Sequence, residues 1–160
     1  MKLSFFILNF MIINLFGILN HFLYDLLGKK KLLKIFFATN ESTFEHMKLV
    51  LYPSMLAVFL SKIIFDYKGI IFASSLGIII TIILIPMLYY CCKFVLKKDI
   101  AFINILIFII SVLVGTIVNC CLVNYSYNYL GVILFIFLVC LFTYFSFKPG
   151  KSILFYNPKN

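Results

Sequence analysis

Five apolar runs, each about as long as a bilayer is thick, constrain this chain more than any other feature. A membrane-spanning helix needs about 20 consecutive apolar residues. The sequence supplies such runs at about 3–27, 45–65, 69–92, 100–123 and 127–147, joined by short connections. In all, 64% of the 160 residues are hydrophobic, whereas a soluble domain carries about 45–50%. In lipid, backbone N–H and C=O groups must be satisfied within the segment, so runs of this length fold as helices. The expected fold is therefore all-α, a polytopic membrane bundle of five transmembrane helices. Residues 1–160 form a single integral membrane domain with a polar tail. The first run is not read as a cleaved signal peptide. Its apolar region is too long, it holds Asn9 and Asn14, and no small-x-small site follows it.

Lysine placement sets the expected orientation. Eleven of the fourteen lysines fall on one side of this topology, in the 28–48 segment, the 93–98 loop and the tail. The other side holds Lys2, Lys62 and Lys68. The excess predicts an outside N-terminus and a cytoplasmic C-terminus. A net charge of +9 thus reads as membrane-orienting charge. A nucleic-acid partner is excluded, because too little soluble chain remains to build a basic face. The absence of Arg and the load of Phe, Ile, Asn and Tyr suggest an AT-rich bacterial genome. The chain then reads as a multi-pass protein of a bacterial plasma membrane, with the bilayer as its main partner. Cys91, Cys92, Cys120, Cys121 and Cys140 show no CxxC or other metal spacing. They read as small packing residues in apolar surroundings.

Against this hydrocarbon background, Asn40-Glu41-Ser42-Thr43-Phe44-Glu45-His46-Met47-Lys48 stands out. Ionisable groups beside a membrane span are costly unless paired or functional. On the first helix, Asn14, His21 and Asp25 fall within about 40° of one another, with Gly17 at the edge of their stripe. On the second, Glu41, Glu45, Lys48 and Tyr52 share a face within about 60° if the helix begins by Glu41, and His46 lies about 100° away. Ser42 and Glu45 have the spacing of a capping box. Pro53 frees the carbonyl of Leu49 and predicts a kink. The topology brings His21 and Asp25 to the level of this segment.

Three readings compete for that cluster. The first is a divalent-metal site made by His21, Glu41, Glu45 and His46, with Asp25 orienting His21. The same four residues would then serve a hydrolase-like, metal-dependent membrane enzyme as ligands or as general acid and base. The second is a relay in a small ion or solute transporter. The third is structural, with Glu41 and Glu45 at the positive end of a helix and Lys48 and His21 paired with neighbours. The spacing matches no zinc signature such as HExxH. On the fourth helix, Asn104, Ser111, Gly115 and Asn119 form a small, polar stripe suited to helix packing. Ser111, Gly115 and Asn119 are candidates for a homo- or hetero-oligomer contact.

The pair His21-Phe22-Leu23-Tyr24-Asp25 and Asn40 to Lys48 resembles a bacterial family of small multi-span membrane proteins, a domain of unknown function found mostly in low-GC Gram-positive bacteria. Its signature is HFLYxxxG followed by NESxWEHxK and several apolar spans. This chain has Phe44 at the Trp position and Asp25 at a Glu position, both preserving chemical type. The resemblance implies an integral membrane protein and implies no activity.

Overall fold

In a computed structural model, which describes residues 2–157, the five apolar runs are five α-helices. They are α1 (Lys2–Leu26), α2 (Thr43–Ile64), α3 (Ile70–Leu96), α4 (Ala101–Leu122) and α5 (Asn128–Phe147). All five are long and apolar enough to cross a membrane. Short 3-10 turns at Lys31–Ile35 and Ile153–Phe155 complete the described structure. Lys159, which entered the charge count, lies outside the described residues.

The boundaries match the apolar runs to within a few residues, apart from the end of α3. That helix continues through Lys93 to Leu96, so the expected 93–98 loop shrinks to its last residues. The turn beyond α1 depends on glycine. Gly28 has φ +78°, and the chain leaves the helix there. Both internal prolines, Pro53 and Pro86, sit inside uninterrupted helices.

Four of the helices form a ring. α1 packs on α2, α2 on α3, α3 on α4, and α4 closes back on α1, while α5 lies outside against α3. The main core cluster centres on Leu49, Val50, Leu51, Ile78, Ile82, Phe108 and Val112. At one end of the bundle, Asn9 ties α1 to α2 by donating to Ser61 Oγ at 2.9 Å. At the opposite end, Phe44 is wedged among Phe142, Phe145 and Phe155, with ring centroids 5.0, 6.1 and 4.8 Å away. An aromatic side chain at position 44 therefore pins the start of α2 to α5 and the tail.

The stripe on α4 is used inside the chain. Ser111, Gly115 and Asn119 are buried, and α3 covers them. Thr81 Oγ1 donates to the Gly77 carbonyl at 2.8 Å and to the Ser111 carbonyl at 3.3 Å. The expected oligomer surface at these three residues is corrected accordingly, because a face filled by α3 has nothing left to offer a second chain. A methyl group on Gly115 would collide with Thr81 Oγ1 and lie 2.6 Å from the Gly77 carbonyl oxygen. Gly115→Ala should therefore destabilise the bundle by about 1–3 kcal/mol through overpacking. A lowered thermal midpoint in mild detergent would register it; a midpoint equal to wild type would mean α3 and α4 are not held this closely.

Candidate metal centre

The site begins with a helix start. Asn40 Oδ1 accepts from Ser42 N at 2.8 Å, a local turn that sets up the extended backbone at Ser42. Ser42 Oγ then accepts from Glu45 N at 3.4 Å and caps α2. Only half of the expected capping box forms, since the Glu45 side chain reaches elsewhere. Because the helix starts at Thr43, Glu41 belongs to the preceding loop. The shared face expected for Glu41, Glu45, Lys48 and Tyr52 fails for this reason. Released from the helix, Glu41 reaches across to α1.

Three of the candidate ligands meet there. His21 Nε2 lies 3.4 Å from Glu41 Oε1, and His46 Nε2 lies 3.7 Å from Glu41 Oε2. The two imidazole centroids are 5.6 Å apart. One ligand atom from each of His21, Glu41 and His46 falls within 4.8 Å of the others. All three side chains are partly exposed. The second ring nitrogen of His46 is also engaged. Nδ1 lies 3.0 Å from the Ser42 carbonyl oxygen, and a carbonyl can only accept, so Nδ1 carries the proton and donates. That leaves the Nε2 lone pair pointing at the cluster. A backbone carbonyl fixing the tautomer in this way is the usual outer support of a metal-binding histidine. Imidazole binds a metal ion only through a free lone pair, and two such donors beside one carboxylate suit a divalent cation.

The structure separates the other two candidates from this group. Glu45 is engaged elsewhere: its Oε2 accepts from Thr39 N at 2.7 Å and pairs with Lys48 Nζ at 2.7 Å. Lys48 is fully buried and also donates to the carbonyls of Lys34, at 2.7 Å, and Phe37, at 3.2 Å. Glu45 thus belongs to a buried structural knot and is removed from the ligand set. Asp25 does not orient His21. Its Oδ1 pairs with Lys29 Nζ at 3.2 Å, one helical turn on, with both side chains exposed. Asn14, on the same stripe as His21, donates to its own helix at the Phe10 carbonyl.

Beside the cluster lies a cleft of about 510 Å3. Its polar end holds His21, Glu41, His46, Asp99 and Asn104. Gly17, Ile18 and Phe22 of α1, Leu49 of α2, and Ala101, Ile105 and Phe108 of α4 line the rest. Asp99 and Asn104 join the site, although the sequence places Asp99 only at the same membrane face as the cluster and Asn104 only in a packing stripe. Asp99 Oδ2 accepts from Tyr89 OH at 2.9 Å, and Oδ1 accepts from Asn104 Nδ2 at 2.8 Å. Their five-residue spacing gave no motif to find; only the closure of α4 against α1 brings them in. Gly17 makes the α1–α2 approach possible. A methyl there would sit 2.9 Å from the Leu49 carbonyl oxygen, the same carbonyl to which Pro53 offers no N–H.

The arrangement defines a class: a multi-pass helical membrane bundle with a two-histidine, one-carboxylate cluster at one end. The chain belongs to DUF6512, a family of unknown function, whose family model matches residues 2–159. No curated protein and no solved structure matches it.

Proposed function

We propose that this chain is a metal-dependent membrane enzyme of hydrolytic type. His21 Nε2, the Glu41 carboxylate and His46 Nε2 would hold one divalent cation. The observation that carries this reading is the convergence of those three donors, with His46 held in the right tautomer by the Ser42 carbonyl. Two imidazoles and one carboxylate suit zinc, manganese or iron. Three protein ligands leave a further position for water, as catalytic zinc sites do. Zinc there would bring the pKa of a bound water to about 7, and any of these cations would polarise a carbonyl or phosphoryl oxygen. Asp99 lines the same cleft and would be the carboxylate that takes the proton. Its hydrogen bonds to Tyr89 and Asn104 would fix its direction.

A transport reading draws less support. The described polar residues nearer the other end, including Ser54, Ser74 and Asn119, line a separate small cavity. In helix register, the buried side chains of Leu49, Ile82, Phe108 and Val112 stand between that cavity and the cluster. The proposed setting is a bacterial plasma membrane, N-terminus outside, with the cluster at the cytoplasmic face. The lysine excess supports that orientation. A C-terminal fluorescent-protein fusion should fluoresce, and a fusion that is dark while inserted would reverse it.

The direct test is elemental analysis of protein purified in mild detergent and dialysed against zinc or manganese. A stoichiometric ion is expected. Folded protein that retains only traces of either metal would remove the reading.

A further inference from the structure

The cleft beside the cluster is amphiphilic along its length. One end carries His21, Glu41, His46 and Asp99; the walls leading away from it are hydrocarbon. Those walls run between α1 and α4, two helices long and apolar enough to cross a membrane. At the cleft, Ile18, Phe22 and Ile105 are among the exposed large hydrophobics, at 43%, 64% and 50%. In a bilayer such a mouth opens sideways into acyl chains, whereas the polar end sits at headgroup level. The volume, about 510 Å3, falls within the roughly 300–1,000 Å3 of small-molecule sites. A water-soluble substrate would gain nothing from apolar walls open to lipid. A molecule with a polar head and a hydrocarbon chain satisfies both ends at once.

We infer that the cleft takes a membrane amphiphile from the bilayer. Its acyl chain lies between α1 and α4, and its oxygen-bearing head sits against His21, Glu41 and His46. The placement of the head rests on the metal reading above; the placement of the chain does not. Gly17 and Phe108 close the inner end of the slot: the Phe108 ring rests directly on the bare glycine, where an added methyl would lie 2.5 Å from the ring and 2.9 Å from the Leu49 carbonyl oxygen.

The sequence contains no Trp, so a single introduced indole reports its own surroundings. Phe108→Trp and, separately, Leu49→Trp place it on opposite inner walls of the cleft; both native side chains are buried, at 6% and 4%. Phe142→Trp is the reference in a packed core, and Phe137→Trp, on α5 away from the cleft and 58% exposed, is the reference facing lipid. Each variant is reconstituted in vesicles of phosphatidylglycerol brominated on its acyl chains. An acyl chain in the cleft should quench the indole of Phe108→Trp or of Leu49→Trp (whichever variant folds) nearly as far as the Phe137→Trp reference. Quenching no greater than that of Phe142→Trp overturns the proposal. Metal content, measured on the same samples, separates the two readings. Quenching without bound metal keeps the chain in the cleft and removes only the metal-held head. Bound metal without quenching leaves the metal centre standing and removes the amphiphile.

Discussion

His46→Ala should strip the divalent ion from the purified protein. A ligand lost from a three-residue site leaves only two donors, His21 and Glu41, on separate segments. Loss of an outer hydrogen bond alone costs about 10–100-fold in metal affinity, and loss of the ligand itself should exceed that range. Elemental analysis after dialysis is the measurement, and competition with a chromogenic chelator gives the fold-change. His21→Ala and Glu41→Gln should follow the same pattern. Asp25→Asn should keep its metal, because Asp25 pairs with Lys29 in the open and not with His21. Acidification should release the ion from wild type, since imidazole binds metal only when its lone pair is free of a proton. If His46→Ala keeps a full complement of metal, the ion is bound elsewhere and the assigned centre is wrong.

Lys48→Met should cost the most stability of any single change considered. The ammonium is fully buried, pairs with Glu45 at 2.7 Å and donates to two backbone carbonyls of the α1–α2 connection. Removing one partner of a buried ion pair typically costs about 3–5 kcal/mol, because the other charge is left uncompensated; a loss of that size is expected here. The double variant Lys48→Met with Glu45→Gln should recover part of it, since no bare carboxylate then remains buried. Thermal unfolding in a fixed detergent supplies both values, and a double-mutant cycle isolates the coupling. Additive single effects would show that the pair is not coupled. A second readout links this knot to the site. Lys48 anchors the backbone at Lys34 and Phe37, on the connection that carries Glu41. Loosening it should weaken metal binding without touching a ligand.

The five helices were legible because hydropathy is a local property, summed over a window longer than any connection in this chain. The Ser42 cap was legible for the same reason: its hydrogen bond spans three residues. The ligand set was legible only in part. His21, Glu41 and His46 were in the candidate group, but so was Glu45, which helical periodicity put on the Glu41 face. The two-residue difference between a helix starting at Glu41 and one starting at Thr43 reversed that assignment. It swung Glu41 toward His21 and left Glu45 to Lys48.

Asp99 and Asn104 were unreadable as site residues, since their relation to His21 depends on which helices become neighbours. The α4 stripe shows the same limit. Small residues at helical spacing announce close packing, and nothing in the spacing says whether the partner is α3 or another chain.

The sequence by itself determined an all-helical membrane chain with five spans and a polar segment centred on Asn40 to Lys48. Burial of hydrocarbon in lipid and the need to satisfy each backbone group within its own helix leave little else for such runs to do. Tertiary structure decided the rest: which carboxylate faces the histidines, which is consumed by a buried lysine, and where α1 and α4 leave a cleft. Those outcomes depend on side chains from distant segments competing for the same partners, at distances of a few ångströms that no helical periodicity encodes.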